Sequence, residues 1–185
     1  PPHPLVSTEP GLRLRHARGQ SFPDLIVLRS GRVPAFPDGV ALPRDAEEVR
    51  ALFAYARDAG ARLIPFGGGT SVVRGVEAAI GNGFRGAVSL DLRRLDRVLE
   101  VDPISRSARI QAGATGPVLE SQLASHGFTL RHFPQSFELS TLGGWIVTRS
   151  RGQQSLGYGR IENLFVGGRL ESPAGSVVLP SFPAS

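Results

Sequence analysis

The chain has 185 residues, 41% hydrophobic and 20% charged, which is ordinary globular usage and excludes a disordered or low-complexity chain. Cysteine is absent, which removes disulfide scaffolds, thiolate metal sites and cysteine nucleophiles. The net charge of +5 is carried by arginine, but the clusters Arg13, Arg15, Arg18 and Arg93, Arg94, Arg97 are short and lack the interleaved aromatics of single-strand binders, so no nucleic-acid partner is expected.

Residues 1–34 scatter Pro, Gly and Arg with no sustained period and read as an irregular N-terminal arm, with the domain proper at 35–185. Val40-Ala41-Leu42 is a short apolar run closed by Pro43. Asp45 then caps a helix whose first turn carries Glu47 and Glu48, favourable against the helix dipole; Val49, Leu52, Phe53 and Ala56 share one face, and Gly60 fits a left-handed stop. Arg62-Leu63-Ile64-Pro65-Phe66 reads as a strand running straight into Gly67-Gly68-Gly69-Thr70-Ser71, the start of an α/β layer.

Val88 to Leu92 is a further strand, and Val98–Val101 with Ala108–Ala112 reads as two strands joined across Asp102-Pro103. Thr115-Gly116-Pro117 opens a helix running to about His126, ended by Gly127. A short helix or turn is expected at Leu142–Thr148, and Leu164–Leu170 with Val177–Leu179 reads as a hairpin. The fold class is therefore α+β. Ser181–Ser185 carry no element that closes a core, which reads as a chain ending inside a loop of something larger.

No apolar run approaches the ~20 residues of a membrane helix. Pro1-Pro2-His3-Pro4 has neither the basic nor the apolar region of a secretory leader, so a soluble, cytoplasmic protein is expected. Because residue 1 is Pro, the N-terminus reads as processed or trimmed.

Two segments carry chemistry. In Pro65-Phe66-Gly67-Gly68-Gly69-Thr70-Ser71-Val72, successive glycines after a strand let main-chain N–H groups converge where phosphate oxygens can approach, and Thr70 and Ser71 add hydroxyls. No lysine follows and the spacing is not G-x-G-x-x-G, so this is neither a P-loop nor a dinucleotide fingerprint. Taken alone, the triple glycine reads as a flexible turn rather than a binding loop. The second segment, His132 to Trp145, again gathers small hydroxyl and glycine residues, and only tertiary folding can bring the two to one ligand.

With Thr148-Arg149, Gly152 and Tyr158-Gly159-Arg160-Ile161-Glu162-Asn163, these ordered motifs resemble the FAD-linked oxidases of vanillyl-alcohol-oxidase type, most nearly the alkyldihydroxyacetonephosphate synthase branch, over roughly Phe36 to Leu179. The resemblance implies a two-lobed PCMH-type FAD-binding domain, a small parallel α/β lobe plus a mixed or antiparallel one, with FAD between them. It implies that Gly67, Gly68, Gly69, Thr70 and Ser71 hold the FAD pyrophosphate through their main chain, with Pro65 and Phe66 before them also cofactor-binding. Gln135, Ser136, Phe137, Glu138, Leu139, Ser140 and Thr141 would pass along the cofactor, with Thr148, Arg149, Ser150 and Arg151 as a further contact stretch. His132 matches a histidine near the reaction centre, where an imidazole can exchange a proton near neutral pH.

Gln135 and Phe133 stand where the family favours acids, which bears on any substrate-facing role of that segment. No histidine lies in the glycine loop, where some relatives attach flavin covalently, so noncovalent FAD is expected, and no metal. Arg149 offers a donor fork to a phosphate or flavin edge, or else makes a surface ion pair, while Trp145 is read as core. The synthases exchange an acyl group for a fatty alcohol on acyl-dihydroxyacetone phosphate, so a small-molecule or lipid-like substrate is implied. A 2-hydroxy-acid oxidase or dehydrogenase and a non-catalytic remnant are the alternatives. The family's next flavin-contacting segment and its substrate domain fall beyond Ser185, so little catalysis is expected from this chain alone.

Overall fold

The structure is a computed structural model describing residues 2–79 and 83–180. The expectation about Ser181–Ser185 lies outside the described residues. The chain divides into two compact units, the first ending at Leu92 and the second starting at Arg93.

The first unit is built on a four-stranded sheet of order β1-β2-β4-β3. These strands are β1 (Val6–Ser7), β2 (Gly39–Ala41), β3 (Ala61–Phe66) and β4 (Gly86–Asp91). β2 and β3 both run parallel to β4, with Val40 opposite Ser89 and Phe66 opposite Asp91, and β1 pairs antiparallel at the edge of β2. Every residue of β4 is buried, as expected of a central strand covered on both faces.

Helix α3 (Ala46–Ala59) forms as its sequence dictates. The Asp45 carboxylate accepts from Glu48 N–H at 2.8 Å, Val49, Leu52 and Ala56 are buried along one face, and Gly60 stops the helix at φ +64°. That face packs on β3. At about 25 cal/mol per Å2 of apolar area, its buried side chains contribute a few kcal/mol each at most.

The reading of residues 1–34 as an irregular arm is corrected. The stretch carries β1, α1 (Pro10–Arg15) and α2 (Phe22–Ser30), and groups with the first unit. The Glu9 carboxylate caps α1 at Gly11 N–H (2.6 Å) and Leu12 N–H, and Ser21 with Asp24 forms a capping box on α2. Asp24 is buried; that burial alone would raise its pKa, but hydrogen bonds from Ser21 and the Arg18 guanidinium outweigh it and hold the carboxyl below its usual range.

The second unit opens with the antiparallel pair β5 (Val98–Asp102) and β6 (Ser107–Ile110), followed by α4 (Gly116–Ala124) and α5 (Leu142–Thr148). The single turns α6 (Ser155–Tyr158) and α7 (Ile161–Leu164) lead into an antiparallel hairpin of β7 (Gly168–Ser172) and β8 (Gly175–Leu179). The hairpin begins later than its apolar run suggests, because Leu164 closes α7. Its core joins Ala114, Leu119, Leu123, Leu142, Trp145 and Ile161, with Val98, Val101, Ile110, Phe128 and Phe137 packed around them. Trp145, 2% exposed, is core as expected.

Candidate functional site

In the first unit the glycine loop leaves the C-terminal end of β3, beside the C-terminal end of the parallel strand β4. In open α/β sheets this is the edge where ligands bind. Gly69 has φ +69°, and a Cβ there would sit 2.6 Å from the Phe66 ring, so the turn requires glycine on both conformational and steric grounds. Among the described residues no hydrogen bond engages the main-chain N–H groups of Gly67, Gly68, Gly69 or Thr70. Four unengaged donors on a loop with little side-chain bulk are groups from which a phosphate can accept hydrogen bonds.

The floor of the loop was not legible in the sequence. The Phe66 ring, 4% exposed, packs on the His16 ring at a centroid distance of 4.3 Å. His16 and Asp91 are fully buried and meet at 2.9 Å between Nε2 and Oδ2, while His16 Nδ1 lies 2.8 Å from the Leu12 carbonyl. At the far end, Gln20 N–H donates to the Ser71 carbonyl at 2.9 Å, and Gly75 N–H donates to Ser71 Oγ at 3.0 Å. Asp91 ends a strand, a position that favours function in such sheets, but nothing local marks His16.

In the second unit two predicted segments come together. Gly152 pairs with Pro134 in an isolated antiparallel bridge, and Gln153 N–H donates to the Phe133 carbonyl, so residues 132–134 run beside residues 150–153. His132, 1% exposed, lies 2.7 Å from Ser150 Oγ through Nε2 and packs against the Trp145 indole at 5.2 Å; its Nδ1 is buried with no hydrogen-bond partner. Burial holds the imidazole below its ordinary pKa, with the Glu162 carboxylate acting weakly the other way. The ring is therefore neutral near pH 7, as a proton acceptor must be.

Ser140 Oγ accepts from Trp145 Nε1 at 2.7 Å and donates to the Ser136 carbonyl at 2.8 Å, while Thr141 caps α5. Ser140 and Thr141 are buried; Ser136 and Phe137 are partly buried, and Gln135, Glu138 and Leu139 are exposed. Thr148, Arg149 and Arg151 are exposed as well. Thr148 Oγ1 is turned back to the Gly144 carbonyl, and Arg149 ends α5 in the left-handed region at φ +51°. Among the described residues no ion pair engages the Arg149 guanidinium, so the surface ion pair considered from sequence does not form there.

Arg131, also left-handed at φ +59°, sets its guanidinium over the Tyr158 ring and donates to the phenol oxygen, and Glu120 accepts its main-chain N–H at 3.2 Å. These contacts hold the turn that delivers His132. The described residues contain no metal-binding cluster and no helix long and apolar enough to cross a membrane.

Residues 37–179 match the FAD binding domain family. The chain is 44% identical over 167 residues to alkyldihydroxyacetonephosphate synthase of Dictyostelium discoideum, covering 90% of this chain and 27% of that protein. It is 31% identical over 150 residues to an uncharacterized FAD-linked oxidoreductase, YgcU, of Escherichia coli K12, covering 81% of this chain and 30% of that one. A solved structure of alkyldihydroxyacetonephosphate synthase superposes with a TM-score of 0.89 at 42% identity, covering 95% of this chain and 33% of that chain. The chain thus spans about a quarter to a third of the relatives it matches. With its parallel α/β unit, its antiparallel second unit and these similarities, the chain has the PCMH-type fold and belongs to the FAD binding domain family.

Proposed function

We propose that this chain binds FAD noncovalently and is the flavin-holding part of an alkyldihydroxyacetonephosphate-synthase-like enzyme, exchanging an acyl for an alkyl group on acyl-dihydroxyacetone phosphate. The observation that carries the reading is the loop after β3: glycine-dependent at Gly69, at the ligand-binding edge of a parallel sheet, with four unengaged main-chain N–H groups. Pro65 and Phe66 shape its entrance, and Gly67, Gly68, Gly69, Thr70 and Ser71 would hold the pyrophosphate by main-chain and hydroxyl donors.

From the second unit, residues 135–141 and 148–151 would supply the remaining cofactor contacts, with the exposed Arg149 and Arg151 as cationic donors. Noncovalent binding is supported by the histidine beside the loop, because both ring nitrogens of His16 already have partners. Bound FAD supplies the electron chemistry, and the protein's part is to orient it. His132 is proposed as the proton-exchanging side chain, neutral and with Nδ1 unpartnered, acting on substrate that other parts of a full-length enzyme bind.

Similarity to YgcU supports a second reading, an FAD-linked oxidoreductase built on the same flavin site, for which the sequence resemblance implies a 2-hydroxy acid as substrate; the higher identity to the synthases favours the transferase. The test is to join the chain to the remaining length of a synthase relative and assay alkyl exchange against 2-hydroxy-acid oxidation. Exchange without oxidation supports the proposal, and oxidation without exchange replaces it with the second reading.

A further inference from the structure

The family match starts at residue 37, yet the contacts that hold both ends of the glycine loop come from residues 16–20. We propose that His16–Gln20 is a positioning brace for the phosphate loop and that full FAD affinity of this chain requires it. The inference rests on reading that loop as the cofactor cradle.

The brace works at three points. His16, fixed by the Asp91 carboxylate and the Leu12 carbonyl, packs its ring on Phe66, and the same Phe66 ring occupies the space a Cβ on Gly69 would enter. Position is thereby passed from His16 through Phe66 to the middle of the loop. Gly19 lies so close to the loop's end that a Cβ on it would sit 2.3 Å from the Ser71 carbonyl oxygen, and the adjacent Gln20 N–H bonds that oxygen at 2.9 Å. Between them, Arg18, its side chain 7% exposed, pairs with Glu77 at 2.6 Å and Asp24 at 3.6 Å, tying the segment to the chain just after the loop. Arg74 also pairs with Glu77, so the exit of the loop is held from both sides.

An oxyanion cradle made of main-chain N–H groups is effective only if those groups already converge, because ordering a residue costs about 1–2 kcal/mol. A brace at Phe66 and Ser71 bears that cost in the folded apo state. Residues 16–20 would thus belong functionally to the loop although they are not part of the family match.

The test uses the full chain and Gly19→Ala, whose methyl meets a main-chain oxygen that cannot swing aside, with Gly157→Ala, which opens onto free space, as control. Amide hydrogen exchange is followed over residues 66–77 without ligand, together with melting temperature and FAD affinity from flavin fluorescence. His16→Gln, which keeps polar reach to Asp91 but loses the ring against Phe66, is the second variant should Gly19→Ala fail to fold. The brace predicts faster exchange across the loop and FAD affinity lower by about tenfold, the equivalent of ordering one or two residues, while the control matches the parent. Unchanged exchange in a folded brace variant overturns the brace, whatever FAD does. Faster exchange with unchanged FAD affinity overturns its role in binding. If the unmodified chain binds no FAD, the cradle reading fails and the proposal with it, and exchange then reports a structural contact only.

Discussion

His132 and Ser150 meet through a 2.7 Å hydrogen bond between imidazole Nε2 and hydroxyl Oγ, and this is the one hydrogen-bond partner the described residues give a ring that is 1% exposed. Ser150→Ala would leave both ring nitrogens buried and unpaired. Loss of one such partner costs about 1–3 kcal/mol, so urea denaturation should show that destabilisation, and Ser150→Thr, which keeps the hydroxyl, should recover most of it. In the Ala variant the His132 titration, followed by NMR, should not move toward its ordinary value.

The same ring makes stability depend on pH. Burial lowers the folded pKa of His132, so below the ordinary imidazole value of about 6.5 the unfolded chain carries more protons than the folded one. Its contribution is fully present above about pH 6.5 and is lost as pH falls through the lowered folded value. The carboxylates held below their usual range, Glu9, Asp24 and Asp102, lose theirs only in more acid solution, around pH 4 and below. The urea midpoint should therefore drop between pH 7 and 5.5, and drop less in His132→Gln. An equal drop in both proteins would remove His132 from the explanation.

Trp145 is the single tryptophan, and its indole N–H is buried against Ser140 Oγ. Ser140→Ala should cost about 1–3 kcal/mol by orphaning that donor. Trp fluorescence should shift in the folded state, which reports the change at the side chain itself. An unshifted spectrum with unchanged stability would contradict the contact.

Asp45→Ala should cost about 1 kcal/mol by removing the cap of α3. A melting shift in Asp45→Asn much smaller than in Asp45→Ala would show that the side-chain acceptor, rather than the charge, accounts for it.

Elements whose signals are local were readable in the sequence. α3 carries its own start at Asp45, its apolar face and its stop at Gly60, and the loop after β3 carries its glycines. Residues 5–30 were not readable, because β1 is two residues long and becomes a strand only by pairing with β2, and because His16 finds its partner 75 residues away at Asp91. The second site segment was half legible. Motif order brought out residues 132–141 and 148–151, but the hydrogen bond from His132 to Ser150 and the left-handed turn at Arg131 are tertiary facts that no local pattern encodes.

The most direct test of the central claim is a titration of the purified chain with FAD, following flavin absorbance and fluorescence with melting temperature, alongside Gly68→Asp, which sets a carboxylate in the proposed phosphate cradle. The account predicts saturable binding that raises the melting temperature and is abolished by that substitution. Absence of saturable binding by the folded parent chain, or undiminished binding by folded Gly68→Asp, would contradict it.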